Sequence, residues 1–227
     1  MTYLFPPAPQ VAIPVVGSDA LFPVRRVYCV GRNYAEHAAE MGADRREPPF
    51  FFSKPADALV PGGGEVPYPP ATANLQHEVE LVVALQRGGA DIAAADAADC
   101  VFGYAVGIDL TRRDLQTRAK EKNHPWDMGK GFDYSAPVSA LRPVALSGHP
   151  VAGAIGLQVN GQIRQSGDLV QMTWPVAEVI SHLSRLVRLA PGDLIFTGTP
   201  AGVSTVVRGD LIECAVAGVG ELSITLR

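Results

Sequence analysis

Three acidic residues at the ends of two predicted strands give the clearest signal for chemistry in this sequence. Residues 76–85 fit a β-strand that places Glu78 and Glu80 on the same face. A second apolar strand, predicted for residues 101–108, ends at Asp109. Neighbouring carboxylates repel each other, so their face is either solvated or holds a cation between them. Oxygen donors without a nearby cysteine favour Mg²⁺, Mn²⁺ or Ca²⁺ over Zn²⁺, and a charged, solvated strand face is the alternative.

A histidine and a glutamate on a short predicted helix form a second candidate for chemistry. Residues 33–42 fit a helix, with Asn33 as a good N-cap and Gly42 as a good residue to end it. His37 and Glu40 are three positions apart, so they lie on the same helical face and can touch. A carboxylate beside an imidazole fixes its tautomer and raises its basicity, as in an oriented general base. The alternative is a surface pair on a solvated helix.

Basic and amide side chains come next, on a predicted helix that follows Asp109. Residues 112–122 fit this helix, with Thr111 as its cap. Its polar side chains include Arg112, Arg113, Gln116 and Lys120. Arginines near a carboxylate-bound metal would suit an anionic substrate. A solvated basic helix is the alternative.

Two aromatic stretches accompany these polar groups. The loop at residues 122–133 contains Trp126, and it contains Lys130 between two glycines. Polar and aromatic residues in such a glycine-containing loop indicate the edge of a binding site. Residues 50–52 are three consecutive phenylalanines, which we expect in the core.

The remaining segments predict more strands than helices. An Asn-Gly pair between alternating runs specifies a type I′ turn, and hence a hairpin over residues 157–165. Residues 173–189 form the clearest amphipathic helix, with Thr173 as its cap. Its apolar stripe, which includes Leu183 and Leu186, is expected to face the core.

This pattern of elements predicts an α+β fold built on a mixed β-sheet or β-roll with a few short helices. One of those helices is expected over the alanine-rich residues 91–99. Residues 1–23 are rich in proline and predict an extended N-terminal arm. We interpret residues 24–227 as a single catalytic domain, because no internal repeat or further boundary is visible.

Composition excludes several classes of function. The 227 residues carry a net charge of −4 and no basic run, so nucleic-acid binding is not expected. No apolar segment approaches the roughly 20 residues of a membrane helix. Three cysteines, without a Cys-x-x-Cys pair, fit a reducing cytoplasm, and Cys29 and Cys214 lie in apolar runs typical of buried free thiols.

Seven fragments of the chain resemble the fumarylacetoacetate hydrolase superfamily, in the family's order and over residues 24–227. The fragments are Gly31–Tyr34 with His37 and Glu40, Ser53–Pro55, His77–Glu80, Gly103–Asp109, Arg113–Gln116, Gly129–Asp133 and Thr197–Val203. Residues 24–33 and 126–132 look most like the fumarylpyruvate hydrolases of gentisate breakdown. Two positions depart from the commoner pattern: Ile108 stands where many members have Asn, and Arg112 stands where many have a small residue.

The resemblance implies a β-roll-like fold, a homodimer and a Mg²⁺ or Mn²⁺ ion held by Glu78, Glu80 and Asp109, with Ca²⁺ as another occupant in crystals. It also implies that His37 and Glu40 belong to a lid that orders over bound substrate. The expected reaction cleaves the C3–C4 bond of a 2,4-dioxo acid with water. Fumarylpyruvate would give fumarate and pyruvate.

Each candidate residue then has an expected role in that reaction. The metal and Lys130 stabilise the enolate that forms as the carbon–carbon bond breaks. His37, oriented by Glu40, deprotonates the attacking water. Gln116 and Thr199 hold the carboxylate and the enolate end. The candidates for binding the second carboxylate of a fumaryl group are Arg32, Lys54, Arg112 and Arg113.

Other functions fit the same residues. Oxaloacetate decarboxylation or isomerisation of a dienedioate also passes through an enolate, without an attacking water. A non-catalytic Ca²⁺-binding or scaffold protein would use the same acidic face. A serine hydrolase is disfavoured, because the sequence contains no Gly-x-Ser-x-Gly motif.

Overall fold

Strands make up most of the regular structure in the computed structural model, which describes residues 2–34 and 47–227. In chain order, the strands are β1 (Ala12–Pro14), β2 (Leu21–Pro23), β3 (Arg26–Gly31), β4 (Phe50–Lys54), β5 (Leu59–Pro61), β6 (Gly64–Val66), β7 (Leu75–Gln76), β8 (Val79–Leu85), β9 (Val101–Ile108), β10 (Thr111–Arg112), β11 (Ala136–Val138), β12 (Arg142–Pro143), β13 (Ala154–Val159), β14 (Gln162–Asp168), β15 (Asp193–Phe196), β16 (Thr205–Val206), β17 (Leu211–Val216) and β18 (Gly220–Leu226). The helices are α1 (Arg113–Glu121), α2 (Asp127–Lys130), α3 (Val144–Ser147) and α4 (Val176–Leu186).

The main sheet is mixed and carries the acidic strand β8 near its centre. Its strand order is β4-β3-β15-β8-β9-β11-β5, and β12 also pairs with β9. The pairs β3–β15 and β5–β11 are parallel, whereas the other pairs are antiparallel. A second sheet has the order β14-β13-β17-β18-β6, and smaller sheets join β10-β7-β16 and β1-β2. The predicted α+β fold with a mixed sheet is confirmed.

Strand β8 is buried on both faces, which explains its almost continuous apolar sequence. On one face, Leu81 and Val83 pack in the larger core cluster, together with the five-stranded sheet and α4. On the other face, Val82 and Ala84 pack in a second cluster with side chains of β3 and β15. Burial of a side chain as large as Leu81 contributes about 1.5–3 kcal/mol to stability.

The proline-rich N-terminal segment forms the hairpin β1–β2. Ile13 and Phe22 from this hairpin are buried in the second core cluster. Val15 adds an isolated bridge to Leu141. The division into an arm at residues 1–23 and a domain at residues 24–227 stays a prediction, because these contacts describe packing and not independent folding.

Two predicted helix boundaries are wrong, and each has a local cause. Helix α1 begins after Arg112, because Thr111 and Arg112 pair with β7. The hydroxyl of Thr111 donates to the carbonyl of Asp109 and does not cap the helix. Helix α4 is shorter than residues 173–189, because the amide of Thr173 donates to the carbonyl of Asn33 and the backbone at Val187 is extended.

Three other predicted elements have different outcomes. The expected helix at residues 91–99 is two separate 3₁₀ turns, Ala94–Asp96 and Ala98–Cys100. The predicted hairpin is confirmed: β13 and β14 are joined by an Asn-Gly pair whose φ angles are 51° and 75°. The predicted helix over residues 33–42 falls mostly within residues 35–46, which lie outside the described residues.

Two predictions from composition concern membranes and thiols. Within residues 2–34 and 47–227, no helix combines the length and the apolar character needed to cross a membrane. Cys29 and Cys214 are free and buried, as predicted. Burial raises the pKa of the Cys214 thiol to about 12, so this thiol is unreactive near neutral pH.

The packing of α4 predicts different effects for two leucines of the same helix. Leu183→Ala should lower the free energy of unfolding by about 2–5 kcal/mol, because Leu183 is only 1% exposed in the core. Leu186→Ala should change it by no more than about 0.5 kcal/mol, because Leu186 is 68% exposed. Urea denaturation measures both values. Equal losses would contradict the helix orientation described here.

Candidate active site

Glu78 and Asp109 meet because β8 and β9 are antiparallel neighbours. Val79 lies opposite Ile108, so the residue before β8 is adjacent to the residue after β9. The backbone amide of Asp109 donates to the carbonyl oxygen of Glu78 at 2.8 Å. Glu80 is two residues further along β8 and therefore shares the face of Glu78. The strand register thus gathers carboxylates that are far apart in the sequence.

The three carboxylates form a compact and buried cluster. One oxygen atom from each of Glu78, Glu80 and Asp109 lies within 4.8 Å of the other two. The three residues are 5%, 1% and 0% exposed, so the solvated strand face that we considered as an alternative is excluded. Three carboxylate oxygens at this separation fit a hard divalent cation such as Mg²⁺ or Mn²⁺.

Three cationic side chains contact this cluster and offset its negative charge. The ammonium of Lys130 donates to Glu78 Oε2 and to Asp109 Oδ2, at 2.7 Å each. The ammonium of Lys54 lies 2.9 Å from Asp109 Oδ1, an ion pair without good hydrogen-bond geometry. Arg113 donates to Glu78 Oε1. These ion pairs are largely shielded from water, so each partner depends on the others to remain charged.

Burial, together with the neighbouring negative charges, raises the pKa of Glu80. Burial is the main cause, followed by the negative charges of Asp109 and Glu78. The backbone amide of Gly198 opposes this shift by donating to Glu80 Oε2 at 2.7 Å. Burial lowers the pKa of Lys130, but the neighbouring Asp109 and Glu78 outweigh burial, so the pKa of Lys130 is raised. Lys130 therefore stays a cation near neutral pH.

Asn33 holds the loop that supplies the Gly198 amide. Its side-chain amide donates to the carbonyl oxygens of Trp174 and Thr197, at 2.9 and 2.8 Å, and its side-chain oxygen accepts from the Trp174 amide at 2.8 Å. Gly198 has a φ of 95°, and a Cβ added there would lie 2.7 Å from the Cβ of Asn33. The side chain of Asn33 therefore clamps this loop; its predicted role as a helix cap stays a prediction, because the helix lies outside the described residues.

Gln165 determines the direction in which the hydroxyl of Thr199 donates. Gln165 Oε1 accepts from the backbone amide of Val79 at 3.0 Å, so this end of the side chain must be the oxygen. His77 Nδ1 donates to the same oxygen at 2.9 Å. Gln165 Nε2 donates to Thr199 Oγ1 and to the carbonyl of Pro200, both at 2.8 Å. Since the oxygen of Thr199 accepts this bond, its O–H group is available to donate to a ligand in the cavity that it lines.

Gln116 is oriented by Arg113 in a comparable way. A guanidinium can only donate, and Arg113 Nη1 donates to Gln116 Oε1 at 2.5 Å. Arg113 Nε also donates to Gln76 Oε1, at 2.6 Å. The NH₂ group of Gln116 is then the end that remains for a ligand. Gln116 and Thr199 line the same cavity, so they present two donors that suit a carboxylate.

The cavity beside the carboxylates has an aromatic wall and further cations. Phe50, Phe52 and Trp126 line it, and the rings of Phe50 and Trp126 meet edge to face with centroids 5.2 Å apart. Arg32 and Lys120 also line this cavity. Our expectation of a core position is wrong for Phe50, which is 37% exposed. The predicted site edge near Trp126 does lie at the cavity.

Two of the predicted substrate-binding cations contact protein groups outside the lining of this cavity. The side chain of Lys54 is fully buried against Asp109. The guanidinium of Arg112 lies 4.3 Å from the ring centroid of Phe132 and donates to the carbonyl of Met128 at 3.3 Å. Substrate contacts of Lys54 and Arg112 stay predictions, and their observed contacts favour structural roles.

The sequence assigns no role to two residues of this site, Lys120 and Gln165. Lys120 follows Gln116 by four residues, and this helical spacing is a signal that could have placed both on one face. Gln165 has no such signal, because its contacts with β8 and Thr199 arise from tertiary structure. The predicted general base His37 and its partner Glu40 lie outside the described residues.

The chain is similar to known proteins over most of its length. The family model described as the C-terminal domain of fumarylacetoacetate (FAA) hydrolase matches residues 26–227. A fumarylpyruvate hydrolase from Ralstonia sp is 44% identical over 181 residues, which cover 79% of this chain and 93% of that protein. The mitochondrial oxaloacetate tautomerase FAHD1 of Rattus norvegicus is 43% identical over 195 residues, which cover 86% of this chain and 88% of that protein.

A solved structure extends the similarity to three dimensions. The crystal structure of fumarylpyruvate hydrolase from Pseudomonas aeruginosa in complex with Mn²⁺ and pyruvate has a TM-score of 0.97 and 54% identity, over 99% of both chains. Its Mn²⁺ agrees with the donor set of Glu78, Glu80 and Asp109, so the expected divalent-metal cofactor is confirmed. We conclude that this chain belongs to the fumarylacetoacetate hydrolase family and is a metal-dependent hydrolase.

Proposed function

We propose that this protein hydrolyses the carbon–carbon bond of an acylpyruvate, with fumarylpyruvate as the preferred substrate, during the breakdown of aromatic compounds. The observation that carries this proposal is the buried cluster of three carboxylates beside Lys130, with Gln116 and Thr199 both oriented as donors. The pyruvate in the Pseudomonas relative supports a place for the pyruvyl half of the substrate. The name of the Ralstonia relative supports the fumaryl half.

We assign Glu78, Glu80 and Asp109 as the residues that would hold the metal. When bound, the metal supplies Lewis-acid stabilisation of the negative charge that develops on the pyruvyl oxygens. Cleavage of the C3–C4 bond leaves an electron pair on C3, so the barrier depends on how well the site stabilises this charge.

Lys130, Gln116 and Thr199 would bind the pyruvyl half. Lys130 is a buried ammonium ion, and a fixed positive charge in such a site stabilises a developing enolate without reorganisation. The NH₂ group of Gln116 and the hydroxyl of Thr199 donate to the substrate carboxylate. Arg113 contributes indirectly to binding of the pyruvyl half, because its hydrogen bonds hold Glu78 and Gln116 in place.

We assign proton transfer to His37, oriented by Glu40, on the basis of their helical spacing and the family resemblance. His37 takes a proton from water while the water oxygen adds to C4. The C3–C4 bond then breaks, its electron pair passes to C3 and the C2 oxygen as an enolate, and C3 takes up a proton. One water is consumed, and fumarate and pyruvate are released.

Oxaloacetate tautomerisation is a second candidate function, because the rat relative with that name is 43% identical to this chain. That reaction also passes through an enolate, but it moves protons only and needs no attacking water. The aromatic wall of Phe50 and Trp126 favours a planar, conjugated acyl group, which oxaloacetate lacks. We therefore prefer the hydrolytic function.

We also propose that the enzyme is a cytoplasmic homodimer. The free cysteines Cys29 and Cys214 fit a reducing compartment. The dimer is expected from the family resemblance. Light scattering on the purified protein tests the dimer, and a mass of one chain would contradict it.

The metal assignment predicts a loss of metal binding in a variant that keeps the shape of the side chain. Asp109→Asn should weaken Mn²⁺ binding by more than about a hundredfold, because loss of an outer-shell partner alone costs about 10–100-fold. Calorimetric titration with Mn²⁺ measures the affinity. The matched control is Asp133→Asn, whose side chain is exposed and should not affect binding. Unchanged affinity in Asp109→Asn would exclude this carboxylate as a ligand.

The orientation of Thr199 predicts a specific loss of carboxylate binding. Thr199→Val should weaken pyruvate binding about tenfold to a hundredfold, the equivalent of a charge-assisted hydrogen bond of about 1.5–3 kcal/mol. Gln165 keeps its bond to the Pro200 carbonyl in this variant, so its amide stays paired. Thr199→Ser should retain most of the affinity, and the exposed Thr205→Val is the control. Pyruvate titration of the Mn²⁺-loaded variants measures these affinities, and wild-type affinity in Thr199→Val would refute the contact.

The proposed reaction predicts which products form and where the oxygen of water goes. With Mn²⁺, the enzyme should release pyruvate from fumarylpyruvate and from acetylpyruvate, and ¹⁸O from labelled water should appear in the carboxylate of fumarate or acetate. We expect kcat/KM for fumarylpyruvate to exceed that for acetylpyruvate by about tenfold or more, because one additional carboxylate contact has that value. Conversion of oxaloacetate tautomers without pyruvate release from either acylpyruvate would favour the second candidate.

A further inference from the structure

We propose that Lys120 and Arg32 form a subsite for a carboxylate at the far end of the acyl group. The proposal rests on the proposed acylpyruvate hydrolysis and adds a residue, Lys120, for which no role was predicted from the sequence. Both side chains line the cavity that also contains Glu78, Glu80 and Lys130. Within the part of the chain that the structure describes, neither cation has a carboxylate partner.

Lys120 and Arg32 are additional to the cations that form ion pairs with the buried carboxylates. Glu78 and Asp109 are contacted by Lys54, Lys130 and Arg113, so these three cations are already engaged. Lys120 and Arg32 add positive charge to the same cavity, and neither forms an ion pair with an acidic side chain in the described ranges. Such a surplus of positive charge in a partly enclosed cavity attracts an anionic ligand.

Two features of Arg32 indicate that its side chain binds a ligand. Its Nε atom is buried, and no hydrogen-bond partner for it exists among the described residues. Its backbone φ is 63°, a left-handed conformation that is unfavourable for a residue with a side chain and is often retained at binding sites. A carboxylate is a natural acceptor for an unpaired guanidinium N–H.

The aromatic wall connects the two cations and suits a flat acyl group. The guanidinium of Arg32 lies 5.5 Å from the ring centroid of Phe50, and the ammonium of Lys120 lies 4.9 Å from the ring of Trp126. The two rings contact each other edge to face. A conjugated acyl chain can lie along these rings with its terminal carboxylate directed to the cations.

The helix α1 gives the subsite a direction relative to the pyruvyl half. Gln116 and Lys120 are four residues apart, so they share a helix face and are about 6 Å apart along the helix axis. A ligand whose first carboxylate binds Gln116 therefore extends along this face toward Lys120. The acyl group that fits is short, planar and terminated by a carboxylate, as in a fumaryl group.

The charge state of Lys120 gives the subsite its own pH dependence. Burial, and then the positive charges of Arg113 on the same helix and Arg32 from the end of β3, lower the pKa of Lys120 to about 8. Lys130 from α2 lowers it further, whereas Glu78 before β8 opposes the shift. Lys120 is a cation below that pH and loses its charge above it, so attraction for the distal carboxylate should decrease as the pH rises through about 8.

The test compares two substrates in matched variants of the Mn²⁺-loaded enzyme. The measured quantity is the ratio of kcat/KM for fumarylpyruvate to kcat/KM for acetylpyruvate, because effects on the shared pyruvyl chemistry cancel in this ratio. Lys120→Met should lower the ratio about tenfold to a hundredfold, the equivalent of one charge-assisted contact. Lys122→Met is the control: its side chain is exposed at the end of the same helix, so the ratio should not change.

A conservative variant separates a charge contact from a packing effect. Wild-type enzyme should show a decline of the ratio above pH 8, whereas Lys120→Arg should keep a high ratio up to about pH 9.5, because arginine stays charged there. Arg32→Met should lower the ratio as Lys120→Met does. An unchanged ratio in both methionine variants would overturn the subsite.

Failure of the proposed reaction gives a different result from failure of the subsite. If the wild-type enzyme hydrolyses neither substrate, the acylpyruvate assignment is wrong. Calorimetric titration with fumarate then still tests the subsite, because Lys120→Met should weaken fumarate binding about tenfold or more, while Lys122→Met should not. Equal fumarate affinities in wild type and Lys120→Met would overturn it.

Discussion

The burial of three carboxylates in one cluster is the constraint on which the rest of the site depends. A buried carboxylate is stable as an anion only with a cation or several donors beside it, and neighbouring carboxylates make this requirement stronger. Lys130 bridges Glu78 and Asp109, Lys54 lies against the other oxygen of Asp109, and Arg113 binds Glu78. Removal of one partner of a buried ion pair typically costs about 3–5 kcal/mol. A divalent metal meets the same electrostatic requirement, so the fold and the chemistry depend on the same balance of charge.

The sheet concentrates this charge at one end of its central strands. Glu78 and Glu80 share a face of β8 with Val82 and Ala84, so this face changes from polar to apolar within a few residues. The apolar part is packed in the second core cluster, which gives the carboxylates a rigid support. The loop after β15 completes the arrangement with a backbone donor, and Asn33 fixes that loop. The cluster is therefore preorganised by elements that are rigid for reasons of packing.

The part of the cavity near the carboxylates and the part further out are lined by different kinds of side chain. Near the carboxylates, the oxygens of Gln116 and Thr199 both accept hydrogen bonds from protein groups, so the NH₂ of Gln116 and the hydroxyl hydrogen of Thr199 face the ligand as donors. Further out, the cavity has aromatic rings and the surplus cations Arg32 and Lys120. Relatives at 43–44% identity are named for a hydrolase and for a tautomerase. Under the proposed function, the inner half of the cavity binds the pyruvyl group, and the choice of substrate is expected to depend on the outer half.

The sequence by itself determined the central strands β8 and β9, the Asn-Gly hairpin and the shared face of Glu78 and Glu80, because alternation and turn chemistry are local. The tertiary structure decided that β8 pairs with β9, which brings Asp109 to the two glutamates and buries all three carboxylates. The sequence did not determine the ends of α1 and α4, since Thr111 pairs with Gln76 of β7 and the amide of Thr173 donates to the carbonyl of Asn33, and both partners are distant in the sequence. It predicted a core position for Phe50 because hydrophobicity does not show which apolar side chains will line a cavity. Only the tertiary structure decided that Lys54 lies behind Asp109 and that Gln165 orients Thr199. These contacts join residues from separate strands, and the direction of each hydrogen bond depends on partners that no local sequence pattern encodes.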